Sequence, residues 1–175
     1  MASTPNPWDY AERTGLEHSH QAALFMWANM AVNFGRIAAD TKSSYSEPGR
    51  ALKLSEANDK IPQLRWLHAI HNQGHGDKIR GAHAKAEGVK PGVFDMFLPV
   101  PISIAGDHNG AFPAQHFAGL YLELKVGYNQ PSADQLAFQA FARSMHYAAE
   151  IAWGWIEARQ KLLEYLRLPV DFVGV

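Results

Sequence analysis

Cysteine is absent from this chain of 175 residues. Its absence removes disulfides, cysteine-ligated zinc and thiol nucleophiles, and it fits a reducing interior. A strong charge of either sign is missing as well, since 16 Lys and Arg stand against 17 Asp and Glu for a formal net charge of −1. The overall basic balance of a nonspecific DNA binder is therefore not there, and any contact with nucleic acid has to be local. No run is apolar enough to span a membrane. The most apolar stretch, 22–39, carries Asn29, Asn33 and Arg36 at helical spacing, which makes it an amphipathic helix. The first residues lack a basic segment followed by an apolar one, so no secretory signal is expected and the protein is placed in the cytoplasm. Internal repeats and low-complexity segments are lacking too.

What is present is enough for a packed core. Hydrophobic residues make up 47% and aromatics 11% of the chain, which excludes wholesale disorder and predicts one domain over 1–175.

Two stretches organise that domain. Gly88-Val-Lys-Pro-Gly-Val-Phe-Asp-Met-Phe-Leu98 and Gly119-Leu-Tyr-Leu-Glu-Leu-Lys-Val126 each read as a strand bounded by glycine or proline. Each also holds charged residues that a core strand should not contain, and a buried carboxylate costs on the order of several kcal/mol unless a cation or donor compensates it. Asp95 and Glu123 therefore need partners. Alternation puts Tyr121, Glu123 and Lys125 on one face and Leu122, Leu124 and Val126 on the other, so an acid and an amine project side by side. An Asp on one strand followed by Glu-x-Lys on the next is an arrangement for Mg²⁺ or Mn²⁺, which takes a few carboxylates plus waters and substrate phosphate. Taken singly, a Glu-x-Lys on an edge strand is a solvated salt bridge and a strand Asp is a turn residue; order, spacing and the glycine-rich lead-in together favour the metal site.

In these residues the chain resembles the PD-(D/E)xK nuclease superfamily, and within it the virus-type replication-repair (VRR-NUC) nucleases, with GVKPGVFD followed by ELK. It departs at Phe94, where the family has proline, a residue that shapes the approach to the acid and is not a ligand. The resemblance implies an α/β fold with a restriction-endonuclease-like central mixed sheet of about four strands flanked by helices, in the order helix, strand, helix, strand, strand, helix, strand, helix. It implies a phage or prophage protein in the host cytoplasm that hydrolyses DNA phosphodiester bonds. Asp95 and Glu123 would hold Mg²⁺ or Mn²⁺ with the Leu124 carbonyl as a further ligand, and Lys125 would orient the attacking water. The family's early helical glutamate, followed by a glutamine, falls on Glu17 and Gln21, and a glutamine beside its core falls on Gln135. The expected partner is DNA, branched DNA such as a four-way junction in particular, met by a symmetric homodimer for which the apolar tail 168–175 supplies a surface.

The rest of the chain is read around that centre. Residues 1–13 are an irregular lead-in. Thr14-Gly-Leu-Glu17 is a capping box opening a helix to about Asp40, so Glu17 is either a cap or a metal ligand. Residues 41–63 form a surface insertion with a short helix around 51–57; periodicity leaves 64–71 open between a short helix and a strand, and the resemblance implies a first core strand near 66–71. Asn72 to Gly76 make a turn, and 77–88 a helix. Lys78, Arg80, Lys85 and Lys90 cluster before the Asp95 strand, as a phosphate-facing group or a solvated helix face. Residues 102–116 read as a loop. Ser132-Ala-Asp-Gln135 is a second capping box, opening a helix to about His146, then come a strand over 148–153 and a final helix over 154–166.

Two competing readings come from other classes. Nine histidines, among them His71, His75, His83, His108 and His116, invite a zinc site, but they have no ligand spacing on a helix. A nucleic-acid-binding or protein-interaction module would keep the fold without turnover.

Overall fold

Alternation sets the centre of the fold. Phe94, Met96 and Leu98 are buried while Val93, Asp95 and Phe97 between them are half-buried, the period-two pattern of a strand packed on both sides. The computed structural model describes residues 6–54, 59–70, 86, 88–106 and 113–169. Four strands form a mixed sheet in the order β1-β2-β5-β6: β1 His68–Ala69, β2 Met96–Leu98, β5 Leu120–Lys125 and β6 Ala148–Trp153. β1 pairs antiparallel with β2, and β2 antiparallel with β5. β5 and β6 start side by side, the Ala148 N–H donating to the Gly119 carbonyl at 2.9 Å, so these two run parallel. The expected α/β architecture with a mixed sheet of four strands is what forms.

The chain divides into two compact units, one of 1–67, 124–129 and 152–175, the other of 68–123 and 130–151. In the second, helix α6 (Ala133–Ser144) follows β5 and packs Phe138 and Ala142 against Phe94, Tyr121 and Ala149. Phe97 stacks on Tyr121 with ring centroids 4.4 Å apart, and Tyr121 meets Phe138 edge-on at 5.0 Å. The stretch 102–116, expected as a loop, pairs its ends as an antiparallel ribbon of β3 (Ile102–Ile104) and β4 (Gln115–Phe117), in which the Ser103 hydroxyl and His116 Nδ1 lie 2.9 Å apart.

The first unit is helical. The lead-in expected to be irregular holds α1 (Pro7–Thr14): Asn6 Oδ1 accepts from the Asp9 N–H at 2.9 Å, Pro7 sits in the first turn where proline is tolerated, and Gly15 closes the helix at φ +59°. Trp8 packs edge-on against Trp155 with centroids 5.0 Å apart. Helix α2 (Glu17–Asn33) ends seven residues before Asp40, against expectation. At Gly35 the backbone takes φ +102°, and an added Cβ would lie 2.8 Å from the Asp59 carboxylate, which accepts the Ile37 N–H at 2.6 Å and starts α3 (Arg36–Ala39). A contact made 22 residues away stops the helix.

Within the insertion, α4 (Ser43–Ser46) and α5 (Pro48–Leu54) form, the latter starting earlier than the expected 51. Residues 62–66 make a 3-10 turn, so the strand expected from 66 shortens to β1. The final helix, α7 (Gly154–Tyr165), packs against α2. No helix among the described residues is long and apolar enough to cross a membrane. The turn and helix expected over 72–88, apart from a few of its last residues, and the end of the tail lie outside the described residues.

Candidate active site

Register brings the two acids together. Met96 pairs with Leu122 and Phe97 with Tyr121, and carrying that register back by one residue sets Asp95 opposite Glu123. Side chains so placed share a face and stand at about 5 Å between Cβ atoms. The Asp95 N–H donates to Glu123 Oε2 at 3.2 Å, while the Asp95 carbonyl accepts from the Ile70 N–H at 2.7 Å. Asp95 is half-buried, and Glu123 is 1% exposed.

A carboxylate that deep needs donors, and Gln135 supplies the second. The capping box read from the sequence forms: Ser132 Oγ accepts the Gln135 N–H at 3.2 Å, and Gln135 Oε1 accepts the Ser132 N–H at 2.8 Å. The other end of the same amide, Nε2, donates to Glu123 Oε1. Gln135 thus caps α6 and fixes Glu123 at once, which assigns its amide orientation because only the NH₂ end can donate. Each Glu123 oxygen receives a donor.

The glycine-rich lead-in works by close approach. Gly92 has φ +80°, and a Cβ there would stand 2.5 Å from the backbone carbonyl of Asp134 in the first turn of α6. Gly92→Ala is therefore expected to cost roughly 1–3 kcal/mol from left-handed strain and overlap, lowering the thermal midpoint and loosening Gln135 from Glu123. Melting of the variant at the wild-type temperature would mean that the two segments give way freely.

Lys125 and Glu17 belong to the helical unit. Lys125 follows Glu123 by two residues in β5 and so faces the same way; its side chain is 9% exposed, and Nζ lies 4.0 Å from Glu17 Oε2. At that distance, with the Glu17 side chain 40% exposed, the pair contributes little to stability. Leu124 between them buries its side chain on the opposite face. The capping box expected at Thr14 to Glu17 does not form: Glu17 is the first residue of α2, Leu16 is its N-cap with no side-chain bond, and Thr14 ends α1 with its hydroxyl on Ser19 Oγ. Glu17→Gln and Glu17→Ala are each expected to change stability by no more than a few tenths of a kcal/mol. A larger loss in chemical denaturation would restore a structural role to Glu17.

No motif in the sequence points to His20, one turn after Glu17. Its Nδ1 accepts the Trp155 N–H at 3.2 Å, joining α2 to the start of α7, and burial lowers its pKa from the ordinary 6.5. The folded state disfavours the protonated ring, so this contribution is complete above pH 6.5 and is lost as pH falls through the lowered value. The stability difference between wild type and His20→Gln is expected to narrow on acidification across that window, and a difference independent of pH would refute the assignment.

The donor set fits a hard divalent cation. Two carboxylates on one face suit Mg²⁺ or Mn²⁺, which take a few carboxylates and keep several waters; among the described residues no group of three or more His, Cys, Asp or Glu gathers as a metal cage. Of the histidines weighed for zinc, His116 bonds Ser103, and His71, His75, His83 and His108 lie outside the described residues, as do Lys78, Arg80 and Lys85 of the basic cluster. Lys90 is exposed.

No protein-family model matches the sequence. No curated protein matches it significantly. Among solved structures, one described as a VRR_NUC domain protein superposes with a TM-score of 0.52 at 19% identity, over 91% of this chain and 93% of that one. At such identity the likeness speaks for the fold: the chain shares the fold of a VRR_NUC domain protein.

Proposed function

We propose that the protein is a divalent-metal-dependent DNA endonuclease. The observation that carries this reading is the in-register pair Asp95 and Glu123, the latter clamped by Gln135, with Lys125 on the same face of the same strand. Asp95 and Glu123, with the Leu124 carbonyl that follows Glu123 in the strand, are the groups that would hold Mg²⁺ or Mn²⁺, whose chemistry when bound is to polarise the phosphoryl oxygens and acidify a water. Gln135 keeps the Glu123 carboxylate in one orientation, so no reorganisation is needed when substrate arrives. Lys125, an ammonium with three donors held by a nearly buried stem, orients the water that attacks phosphorus.

Branched DNA is the substrate proposed, cut by a symmetric homodimer, because two sites related by a two-fold axis reach the two strands that a four-way junction presents. The test is incubation with linear, flapped and four-way-junction DNA in Mg²⁺, Mn²⁺ or EDTA, beside light scattering. Cleavage that requires metal, is strongest on the junction and comes from a dimer of the 19.4 kDa chain is expected. Binding without cleavage in either metal would leave a nucleic-acid-binding module; equal cutting of linear and junction DNA by a monomer would leave a nuclease blind to structure.

A further inference from the structure

Helix α6 is apolar on two sides. Inward, Phe138 and Ala142 pack with Phe94 and Ala149, and Gln135 reaches Glu123. Outward, Ala133, Leu136, Ala137, Ala140, Phe141 and Ser144 recur at the three- and four-residue steps of one helical face, and all of them are exposed. Met145, the C-cap, extends that face. Leu136 is 48% exposed, Phe141 62% and Met145 54%, so three of the eight large hydrophobics exposed among the described residues stand on this one helix and its cap. No charged side chain falls within the face. Asp134 and Arg143 lie on its two flanks, and Arg143 is turned to the Ala149 carbonyl and Glu150. Single apolar side chains in water are ordinary, whereas a contiguous patch marks a surface that meets something.

The face is complementary to itself. Ala133 and Ser144, Leu136 and Phe141, and Ala137 and Ala140 stand pairwise at equal distances on either side of the point between Phe138 and Gln139. Laid antiparallel on a second copy with a two-fold axis through that point, Phe141 of each helix comes over Ala137 of the other and Leu136 over Ala140. Large side chains thus cover small ones on both flanks, and Ala133 meets Ser144 along the seam, where small residues let the helix axes approach to about 8–10 Å. An uncharged face offers a different partner no sign to match. Closing it on two copies buries on the order of 1,000 Å² in all, where specific interfaces begin. We infer that the outward face of α6 is the two-fold contact between copies of this chain. The inference rests on the proposed homodimer for its symmetry and names the surface that forms it. Because Gln135 stands on the same helix, the contact also braces the clamp on Glu123.

The experiment is sedimentation velocity, without DNA or metal, of wild type, Phe141→Glu, Ala140→Glu and a control, Leu52→Glu, at a 65% exposed position of α5, with circular dichroism to confirm folding. Because the chain has no cysteine, oxidative cross-linking of Ala137→Cys and Leu52→Cys reports proximity directly. Wild type is expected as a dimer. Phe141→Glu and Ala140→Glu, which bury a charge against an apolar face, are expected to weaken association roughly a hundredfold or more, and Leu52→Glu to leave it unchanged. Ala137→Cys, next to the axis, should form a covalent dimer and Leu52→Cys should not. A monomeric wild type, a dimer indifferent to both glutamates, or equal weakening by Leu52→Glu would overturn the contact. A dimer held by α6 that cuts no DNA in Mg²⁺ or Mn²⁺ would uphold the contact and sink the nuclease instead. Metal-dependent cleavage by a monomeric wild type would do the reverse.

Discussion

Lys125→Ala is expected to lower metal-dependent cleavage by roughly a hundred- to ten-thousand-fold, the range seen when a group that positions a proton or a developing charge is removed. Asp95→Ala and Glu123→Ala are expected to do as much. The three differ in what they do to the fold, and that difference separates catalysis from architecture. Lys125 Nζ lies 4.0 Å from the half-exposed Glu17 carboxylate, a pair that contributes little, so its truncation is expected to leave stability largely in place. Glu123 is another matter. Charges in apolar strands are often retained at a cost to stability, and from the sequence alone removal of any of the three should be neutral or stabilising. Glu123, however, accepts from the Asp95 N–H and from Gln135 Nε2, and its loss would leave two inward-pointing donors unmet at about 1–3 kcal/mol. Circular dichroism, urea titration and cleavage of the three variants decide the matter. Wild-type-like cutting by any one of them would sink the site, and collapse of Lys125→Ala would mark the lysine as structural.

The largest effect on stability is expected from Asp40 and Arg159. Both are 0% exposed. Arg159 Nε donates to Asp40 Oδ1 at 2.8 Å and Nη2 to Oδ2, the Trp27 indole N–H donates to Oδ1 at 2.9 Å, and the Arg159 guanidinium lies over the Trp27 ring at 5.5 Å. Asp40→Leu takes away the carboxylate that the buried guanidinium faces and is expected to cost about 3–5 kcal/mol, whereas Arg159→Leu leaves Asp40 with Arg36 Nε at 3.6 Å and is expected to cost less. Set against a total of roughly 5–15 kcal/mol for a native protein, the first change brings the chain close to unfolding. The double variant Asp40→Leu with Arg159→Leu should recover most of the loss, since apolar groups of similar volume replace a buried pair at little net cost. Urea midpoints for the two single variants and the double supply the check: a double variant as unstable as the sum of the singles would mean that the pair is not coupled.

Much of the site was legible because its signals are local. Period two along 94–98 and 120–125, glycine and proline at the strand ends, and the Ser132 to Gln135 capping box all act within a few residues, so they survive reading in one dimension. Contacts that run across the chain were not legible. Proline at 7 reads as a breaker until Asn6 is seen to cap the turn that follows, and the apolar run to Ala39 reads as one helix until Asp59 arrives to stop it at Gly35. The pairing of Asp40 with Arg159 spans 119 residues and leaves no trace in either neighbourhood.

Residue types and their order determined which acids and which amine this chain can bring to a site; tertiary structure decided that Asp95 stands opposite Glu123, that Gln135 reaches it from a helix cap, and that Glu17 opens its helix without capping it. The physical reason is range: a capping box or an alternating strand is stabilised by groups within about four residues of one another, whereas register, burial and close approach depend on which distant segments exclude water together.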